Sequence, residues 1–405
     1  MGIYEELERK NLIAQVTNKE KIKDLLNNKK ITFYVGFEPT ASSLHVGHFV
    51  QLLIISRLQK AGHIPIILFG GGTGLIGDPS GKTDMRKILT QEEINHNISC
   101  FKKQAEKFVD FSESKAIMLN NFNWLSNLNY IDFLREIGVC FSVNRMLSAG
   151  CYKLRLEKGL SFFELNYMII QSYDFLVLNN NYNCILELGG NDQWSNIIGG
   201  VELVRKKNNK EVFGMTFELL TNSEGVKMGK TEKGAIWLDP NKTPIYKFYQ
   251  YWRNIQDTDV IKCLKTLTLL NLETINTYSK LSGKDLNKVK DILAFEITKL
   301  VHGEKEAKKA RESSQHIFNG NKIEINNENL TFKINLDNNI NIIDLLLKIN
   351  LSNSKGEARR LVEQGGISID DKKITDINFI FHKNEFRKDF IIRKGKKIHK
   401  KVILK

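Results

Sequence analysis

The stretch ITFYVGFEPTASSLHVGHFVQLLIISRLQKAGHIPIILFGGG, residues 31–72, decides the fold of this chain. Residues 31–36 are an apolar run that ends at glycine, which predicts a buried strand. Residues 47–60 have the apolar spacing of a helix, and Ile64 to Phe69 predict a second strand that runs into three glycines. Because strand, helix and strand follow one another, we expect a doubly wound parallel α/β sheet of the Rossmann-like type, with ligands at the carboxyl ends of its strands.

Downstream of this unit the pattern becomes mostly helical. Residues 184–188 (CILEL) precede two glycines and predict another strand of the same sheet. Residues 91–178 are mostly helical, and their first helix should begin with a capping box at Thr90 and Glu93. A second helical region, rich in lysine, runs from about residue 245 to 318. We therefore expect an α-helical domain after the sheet domain.

The last part of the chain has a different character. Residues 321–341 are dominated by asparagine and lack strong periodicity, which predicts a linker. Residues 342–405 predict a small basic α+β module, because alternating Ile367, Ile369 and Ile374 indicate a folded core rather than a solvated tail.

Length and composition limit the class of protein. At 405 residues the chain exceeds the ~250–300 residues at which one hydrophobic core stops growing, so two or three domains are expected. No apolar run reaches the ~18 residues of a membrane span, and the acidic start MGIYEE lacks the basic segment of an export signal. The five cysteines form no Cys-x-x-Cys pair, so we expect neither a disulfide framework nor a protein-built metal site. These features predict a cytoplasmic enzyme.

The net charge is +14, and much of it lies at one end of the chain. Residues 351–405 contain 15 Lys or Arg against 7 Asp or Glu, an excess of 8 positive charges. A general lysine bias would raise the total charge, but it would not concentrate it at the end. We therefore expect a polyanion as a partner.

Two histidines at the start of the first long helix suit the binding of a nucleotide. His45 and His48 lie three residues apart, on one side of the helix and near the positive end of its dipole. Gly47 between them lacks a side chain and would let a flat adenine approach the backbone. Two imidazoles in this place can donate hydrogen bonds to a triphosphate as charge develops during reaction. The loop KMGKT, residues 227–231, is suited to bind the same phosphates from a second segment of the chain.

The sequence GDPSGKT, residues 77–83, is not a P-loop. The P-loop pattern needs a glycine at position 76, where this chain has Ile76. Asp78, just beyond a strand end, is better placed to hold an ammonium group. Lys82 and Arg86 are candidates for binding the triphosphate.

Three polar side chains share one face of an apolar helix. Tyr167, Gln171 and Asp174 are spaced four and three residues apart. A buried aspartate needs a partner, and a phenolic hydroxyl would be a good one. The alternative is that Asp174 caps a helix or pairs with a basic neighbour. Tyr34, on the first strand, is able to reach the same place from the opposite wall.

These motifs together resemble class I aminoacyl-tRNA synthetases, with residues 45–48 and 227–231 similar to their HIGH and KMSKS elements. YVGFEPTA at 34–41, the Tyr-x-x-x-Gln-x-x-Asp pattern at 167–174 and GGNDQW at 189–194 resemble bacterial tyrosyl-tRNA synthetases in order and spacing. The resemblance runs essentially from end to end. It implies that L-tyrosine is activated with ATP to tyrosyl-adenylate and pyrophosphate, with Mg²⁺ accompanying ATP. Tyrosine is then transferred to the terminal adenosine of tRNA(Tyr).

The resemblance also implies roles for individual residues. Those implied to bind tyrosine, through its phenol, its ammonium group, its carboxylate or the cavity wall, are Tyr34, Asp174, Asp78, Tyr167, Gln171, Gln193 and Gly36. Those implied to bind ATP or the adenylate are Glu38, Gly47, Lys82, Arg86, Gly190, Asp192 and Lys230. Those implied to act on the phosphates in catalysis are His45, His48, Lys227, Lys230 and Thr231. No covalent enzyme intermediate is implied, so catalysis would come from positioning and charge stabilisation.

Two residues depart from the family pattern, which usually has cysteine at position 35 and aspartate at position 38. Val35 cannot donate a hydrogen bond, so a side-chain contact from this position to a ribose is not expected. Glu38 should keep a carboxylate in place, shifted by one methylene.

The basic end of the chain is similar to a small RNA-binding domain found in bacterial tyrosyl-tRNA synthetases and some ribosomal proteins. The similarity rests on SKGEARRLV at 354–362 and GGISI at 365–369. Lys355, Arg359 and Arg360 lie on adjacent helical faces and are able to bind tRNA phosphates.

The resemblance implies a division into domains and a dimer. Residues 125–165 correspond to the region through which the family dimerises, so a homodimer is expected. The expected regions are a Rossmann-like catalytic domain (1–240) with a helical dimerisation insertion (about 100–165), an α-helical domain on the anticodon side of the tRNA (241–320), a linker (321–341) and a small basic RNA-binding domain (342–405).

Three alternatives stay open at this point. A tryptophanyl-tRNA synthetase would have the same fold and reaction, but Tyr34, Asp174 and the RNA-binding end favour tyrosine. An RNA-binding or splicing protein that kept the fold and lost catalysis would not need intact His45, His48 and Lys227. A nucleotidyltransferase for a small metabolite would not need a basic RNA-facing module. Pyrophosphate exchange with each amino acid would distinguish them.

Overall fold

The β-α-β unit expected at residues 31–72 is confirmed in the computed structural model of the chain, which describes residues 2–80, 82, 84, 88–231, 234–318, 331–334, 339–370, 372–381, 390–395 and 398–404. The chain divides into two units, Met1–Arg311 and Glu312–Lys405.

The first unit is built on a six-stranded sheet. Its strands are β1 (Ile13–Val16), β2 (Thr32–Phe37), β3 (Ile64–Phe69), β4 (Ile117–Asn120), β5 (Cys184–Gly190) and β6 (Phe213–Phe217). Their order across the sheet is β1-β6-β5-β2-β3-β4, and every neighbouring pair is parallel except β1 with β6. The strand order reverses between β2 and β5, and a doubly wound sheet has its ligand crevice at such a reversal. Two short strands, β7 (Lys230–Thr231) and β8 (Gly234–Ala235), pair as a separate antiparallel ribbon.

Helices surround this sheet and continue beyond it. They are α1 (Ile3–Arg9), α2 (Lys19–Asn28), α3 (Val46–Lys60), α4 (Gln91–Ala105), α5 (Phe122–Leu125), α6 (Tyr130–Glu136), α7 (Val143–Leu147), α8 (Lys153–Leu156), α9 (Phe162–Leu165), α10 (Tyr167–Tyr182), α11 (Trp194–Asn208), α12 (Ile245–Arg253), α13 (Val260–Leu267), α14 (Leu272–Tyr278), α15 (Lys284–His302) and α16 (Glu304–Phe318). No helix in the described ranges is both long and apolar enough to cross a membrane.

Local sequence explains where two of these helices begin. The predicted capping box of α4 is confirmed: Glu93 N–H donates to Thr90 Oγ1 at 3.2 Å, and Thr90 N–H donates to Glu93 Oε2 at 2.8 Å. Helix α3 begins after His45, whose ring accepts from a backbone N–H of the first turn. Most of α3 is apolar and buried, since the main core surrounds it.

Parts of the sheet were not predicted. β4 lies inside residues 91–178, which were expected to be mostly helical, and β1 and β6 were not expected at all. Residues 117–120 are a four-residue run without helical or strand period, so the sequence alone does not separate the two possibilities. As a result, the residues that follow β4 were not considered for the site.

The second unit has the expected small α+β architecture. Its elements are α17 (Ile342–Lys348), α18 (Lys355–Glu363), β9 (Thr331–Ile334), β10 (Ile340–Asn341), β11 (Ile367–Ile369), β12 (Lys372–Ile374), β13 (Ile380–Phe381), β14 (Phe390–Lys394) and β15 (Ile398–Leu404). One sheet has the order β12-β11-β14-β15-β9, and β10 pairs with β13. The predicted alternation at Ile367 and Ile369 is confirmed, because both side chains are buried in this unit's core.

The predicted linker, residues 321–341, needs a correction. β9 pairs in parallel with β15, and β10 pairs with β13, so the folded module starts before the expected boundary at residue 342. The asparagine-rich sequence has no alternating pattern that predicts these strands. They are held by hydrogen bonds to strands far along the chain, which a local pattern does not reveal.

Candidate active site

A cavity of about 170 Å³ opens where the strand order reverses, at the carboxyl ends of β2, β3 and β5. The sequence-predicted residues that line it are Tyr34, Gly36, Glu38, His48, Asp78, Tyr167, Gln171, Asp174, Asp192 and Gln193. Five carboxyl groups line the cavity, and no Lys or Arg among the described residues does. The site is therefore suited to a ligand that carries positive charge.

Asp174 is held by two neutral donors at one end of the cavity. Asn121 Nδ2 donates to Oδ2 at 2.9 Å, and Trp124 Nε1 donates to Oδ1 at 2.8 Å. Both partners are uncharged, so the alternative of a simple ion pair with a basic neighbour does not describe this aspartate. Burial raises the pKa of Asp174 to about 8, against the opposing effect of the two donors. The two donors thus fix the direction of the carboxyl group, and burial favours its protonated form.

Tyr34 lines the same cavity from β2. Its ring packs against Phe175 with the ring centroids 5.3 Å apart. Its hydroxyl is buried and makes no hydrogen bond of 3.5 Å or less with the described part of the chain, although the Glu187 carboxylate is close enough to interact with it. A buried hydroxyl without a partner is costly, so this group is suited to receive a polar atom of a ligand. Burial and the neighbouring Glu187 carboxylate raise the pKa of Tyr34, which keeps the phenol protonated.

The wall beside Asp78 carries a second polar group. Asp78 Oδ1 accepts from the Ser80 N–H at 2.9 Å, and Oδ2 accepts from Gln193 Nε2 at 2.7 Å. Gln193 is in turn held by Asn196 Nδ2, which donates to its Oε1 at 3.2 Å. Asp78 and Gln193, predicted separately from the sequence, are therefore direct partners.

Glu38 lies close to Tyr167. The Tyr167 hydroxyl donates to Glu38 Oε1 at 2.8 Å, and burial together with the Glu38 charge raises the pKa of this tyrosine. A Cβ at Gly70 would come within 2.6 Å of Glu38 Oε1, so this glycine leaves room for the longer side chain. Val35, the other departure, is buried in the main core and does not line the cavity.

The two histidines form a capping box at the start of α3. Gly47 N–H donates to His45 Nδ1 at 3.0 Å, and His45 N–H donates to His48 Nδ1 at 3.2 Å. Because each Nδ1 is an acceptor, a neutral ring carries its proton on Nε2, which makes Nε2 a donor. The rings stack with their centroids 4.0 Å apart. A Cβ at Gly47 would lie 2.8 Å from His45 Cε1, so glycine is required for this packing as well.

The loop at residues 227–231 lies directly on the start of α3. Gly229 has φ +81°, and a Cβ there would lie 2.1 Å from Val46 Cγ2. Ile236 connects the two segments, since its N–H donates to the Gly229 carbonyl at 2.7 Å and its own carbonyl accepts from the Val46 N–H at 3.2 Å. Two motifs about 180 residues apart in sequence are therefore neighbours in the fold.

Lys227 in this loop pairs with Asp192 at the end of β5. The distance from Lys227 Nζ to Asp192 Oδ2 is 3.3 Å, and the two side chains are 45% and 27% exposed. Pairs with such exposure contribute about 0–1 kcal/mol, so a phosphate group could readily replace the carboxylate. Gly190 makes room for Asp192, because a Cβ at Gly190 would lie 2.9 Å from Asp192 Oδ1.

Other predicted site residues lie outside the cavity wall or outside the described residues. His45, Gly47, Lys82, Gly190 and Lys227 do not line the cavity. Arg86 is outside the described residues, and for Lys230 and Thr231 only the backbone, in β7, is described. Within the described parts of the chain, no group of three or more His, Cys, Asp or Glu side chains is arranged to hold a metal ion.

The predicted RNA-binding residues all lie on α18 of the second unit. Lys355, Arg359 and Arg360 are exposed. Lys355 Nζ is 3.0 Å from Asp344 Oδ1, in a pair whose side chains are 68% and 51% exposed. Such an exposed pair is easily exchanged for a phosphate.

Three residues that sequence analysis missed contribute to the site: Asn121, Trp124 and Glu187. Asn121 and Trp124 follow β4, and recognition of this strand would have made them candidates, because ligands bind at the carboxyl ends of parallel strands. Glu187 lies inside the predicted strand CILEL, where a single glutamate in an apolar run was the available signal.

Comparison with known proteins shows two family models that match the chain. One, described as tRNA synthetases class I (W and Y), matches residues 26–319. The other, described as Tyrosine--tRNA ligase SYY-like C-terminal domain, matches residues 323–402.

Full-length relatives and a solved structure agree with these matches. A tyrosine--tRNA ligase of Clostridium botulinum (strain Hall) is 55% identical over 404 residues, which cover 100% of this chain and 99% of the relative. A tyrosine--tRNA ligase of Acetivibrio thermocellus is 57% identical over 408 residues, with the same coverage. The structure of a C-terminally truncated Aspergillus nidulans mitochondrial tyrosyl-tRNA synthetase is similar with a TM-score of 0.70 and 26% identity, over 78% of this chain and 94% of that one.

Proposed function

From the premise that the chain belongs to the class I tyrosyl-tRNA synthetase family, we propose a role for each part of the cavity and of the basic module. The enzyme's reaction is the ATP-dependent joining of tyrosine to tRNA. In the first step the tyrosine carboxylate attacks the α-phosphorus of ATP and pyrophosphate leaves, which gives tyrosyl-adenylate. In the second step tyrosine passes to the terminal adenosine of the tRNA. We propose that this takes place in the cytoplasm.

The cavity supports a pocket that recognises both ends of tyrosine. Tyr34 and Asp174 would bind the phenol, and Asp78, Tyr167 and Gln171 would bind the ammonium group. Gln193, held by Asp78, would lie beside the reacting carboxylate. Gly36 would leave room for the substrate, because a Cβ there would meet no described atom within 4 Å.

The rim of the cavity supports a nucleotide site. Gly190 and Asp192 would hold the ribose, and Glu38 and Gly47 would lie along the nucleotide. The residues proposed to act on the phosphates are His45, His48, Lys82, Arg86, Lys227, Lys230 and Thr231. Mg²⁺ would enter with ATP, bound to the phosphate oxygens as part of that substrate.

The observation that carries this proposal is that Tyr34 and Asp174 line one cavity, with Asp174 held in direction by two neutral donors. The test is pyrophosphate exchange with each amino acid in turn. We expect exchange with tyrosine and background rates with tryptophan and phenylalanine. Equal or faster exchange with tryptophan would refute the assignment of the pocket.

The basic module supports binding of the tRNA, a role that we propose for Lys355, Arg359 and Arg360. We expect the double substitution Arg359→Gln with Arg360→Gln to leave pyrophosphate exchange unchanged, since the adenylate site lies in the first unit. The affinity for tRNA should fall, and the slope of log K against log salt should decrease by about 1.4 to 1.8, because each lost phosphate contact contributes about 0.7–0.9.

Lys348→Gln is the matched control for this prediction. Lys348 is an exposed lysine of α17 in the same unit, to which no RNA contact is assigned. Charging rates measured at several salt concentrations should fall for the double variant and not for the control. Equal losses in both would indicate a general charge effect rather than a defined surface.

We propose that the enzyme is a homodimer through residues 125–165. Of the large hydrophobic side chains exposed in the described residues, nine of fourteen lie between Tyr130 and Phe163. Val139 and Phe162 are the most exposed, at 75% and 68%. An exposed apolar surface of this kind is typical of a protein–protein interface.

We expect sedimentation velocity to detect a dimer at micromolar concentration. The double substitution Val139→Glu with Phe162→Glu should shift it to a monomer, because burying two carboxylates at an interface is costly. Leu281→Glu, at an exposed apolar position outside this region, should remain a dimer. A monomeric wild-type protein would contradict the proposal.

A further inference from the structure

Glu187 is a buried carboxylate in the wall of the cavity that Tyr34 and Asp174 also line. It lies in β5, and its side chain is almost completely buried. Gln171 Nε2 donates to Glu187 Oε1 at 3.0 Å, whereas Oε2 makes no hydrogen bond with the described residues. An apolar side chain would satisfy an ordinary strand position at much lower cost. Packing of the strand therefore does not explain a glutamate at this position, which indicates a role in the site.

Unsatisfied polar atoms of two substrate-binding residues lie around this carboxylate. Tyr34 Oη, Gln171 Oε1 and Glu187 Oε2 are buried and make no hydrogen bond of 3.5 Å or less with the described part of the chain. The Tyr34 hydroxyl is nevertheless close enough to Glu187 to act on its pKa as a hydrogen-bond donor. Glu187 is near enough to Tyr34 for its charge to raise the pKa of the phenol. A Cβ at Gly200 of α11 would lie 3.0 Å from Glu187 Oε2, so that helix leaves room for the carboxylate.

The titratable groups around Glu187 are few. Tyr34 faces it from β2, and Asp174 is within electrostatic range on α10. Cys184 lies on the same strand as Glu187. α11 presents Gly200 to it, and β6, the other neighbouring strand, contains no titratable residue. No cation acts on this carboxylate among the described residues.

Resting on the proposed roles of Tyr34 and Gln171, we propose that Glu187 is a positioning residue for the tyrosine substrate. It holds the amide of Gln171 on the ammonium side, and it sets the direction of the Tyr34 hydroxyl on the phenol side. One carboxylate thereby positions the residues that bind the ammonium group and the residue that binds the phenol of tyrosine. Because it acts through its neighbours, its effect should appear in the KM for tyrosine more than in kcat.

The protonation state of Glu187 determines the direction of the Tyr34 hydrogen. A protonated Glu187 can donate to Tyr34 Oη, so Tyr34 can donate to the phenol oxygen of the substrate while the phenol donates to an oxygen of Asp174, which keeps acceptor capacity in either protonation state. An ionised Glu187 accepts from Tyr34, and the single phenol proton must then serve both Tyr34 and Asp174. Burial raises the pKa of Glu187 to about 7. Tyrosine binding should therefore weaken as the pH rises through this value.

The test compares the wild-type enzyme with Glu187→Gln in tyrosine-dependent pyrophosphate exchange between about pH 6 and 8. Glutamine keeps an acceptor for Gln171 and offers a donor to Tyr34 at every pH. We expect similar KM values for tyrosine at the acid end, and a ratio of wild-type to variant KM that rises by about tenfold at the alkaline end. Titration of the substrate affects both proteins and cancels in this ratio. The Glu187 charge helps to raise the pKa of Asp174, so the shifted titration of Asp174 in the variant is part of the effect of Glu187 that the ratio measures.

Two further variants complete the test. Glu187→Leu removes the acceptor and the donor, so its KM for tyrosine should be about tenfold higher even at the acid end. Glu164→Gln is the control, because Glu164 is equally buried but pairs with Arg155 outside the cavity, at 2.7 Å. The ratio of the wild-type KM for tyrosine to that of Glu164→Gln should stay constant with pH.

If the ratio of the wild-type KM for tyrosine to that of Glu187→Gln did not change with pH, the positioning role would be overturned, even if Glu187→Leu failed to fold. A wild-type KM in folded Glu187→Leu would overturn it as well. In both cases wild-type exchange with tyrosine would leave the proposed function intact. An absence of tyrosine-dependent exchange in the wild-type enzyme would instead overturn the roles of Tyr34 and Gln171, and the role of Glu187 with them.

Discussion

Replacement of Asp174 by alanine should reduce kcat/KM for tyrosine activation by a factor on the order of 10³. The substitution removes the proposed acceptor of the substrate phenol and leaves the donors of Asn121 and Trp124 buried without their partner. The orphaned donors lower the stability of the variant, whereas the lost acceptor leaves the substrate phenol proton buried without a partner, and a loss of about 4 kcal/mol in that interaction corresponds to this factor. For this family an established preference of about 10⁵ for tyrosine over phenylalanine sets the scale of what phenol recognition contributes. Pyrophosphate exchange with tyrosine and with phenylalanine would measure the fall in kcat/KM for tyrosine. It would also measure the decrease in the ratio of kcat/KM for tyrosine to kcat/KM for phenylalanine.

The matched control is Asn179→Ala on the same helix. Asn179 is also buried and polar, and its Nδ2 donates to the Cys184 carbonyl at 2.9 Å, but it does not line the cavity. This variant should lose thermal stability and keep kcat/KM within a few-fold of wild type. Exchange with tyrosine at the wild-type rate in Asp174→Ala would refute the role of the aspartate.

Replacement of His45 by alanine should lower kcat for adenylate formation by about 10²–10³, the usual cost of removing one donor to charge that develops in a transition state. The KM for tyrosine should change little, because His45 does not line the tyrosine cavity. The variant should also lose about 1 kcal/mol of stability, since His45 Nδ1 caps α3 by accepting from the Gly47 N–H. Single-turnover formation of the adenylate and thermal unfolding would measure these two effects separately.

His45→Asn separates the cap from the chemistry. Asparagine is a good helix cap, so its unfolding temperature should stay near that of the wild type. Its amide reaches less far than Nε2 of the imidazole, so most of the loss in kcat should remain. Full activity in His45→Asn would assign the effect of alanine to the helix start, and full activity in both variants would exclude His45 from the reaction.

The sequence predicted the centre of the fold because several local signals agreed there. The apolar runs of β2 and β3, the histidines before α3 and the glycines after β3 all indicate one β-α-β unit. β4 was missed because four residues have no distinguishable period. β9 and β10 were missed because their pairing partners lie far away in sequence. Non-local pairing, rather than local propensity, holds these strands.

The residues of the candidate site also fall into two groups, those that local motifs predict and those that only the strand order reveals. Tyr34, Asp174 and Asp78 were predictable because they stand in motifs that match a family in order and spacing, and the fold brings them to one cavity. Asn121 and Trp124 belong to no such motif. They reach Asp174 because parallel strands end side by side, so knowledge of the strand order is needed to find them.

The charge of the cavity wall has a consequence for the fidelity of translation. Five carboxyl groups and no lysine or arginine among the described residues line the cavity proposed to bind tyrosine. A tyrosine that carries phosphate or sulfate on its oxygen would bring negative charge to a buried wall where the pKa values of Asp174 and Glu187 are already raised because negative charge is costly there, and this cost would add to the steric clash. We therefore expect the enzyme not to activate such modified amino acids.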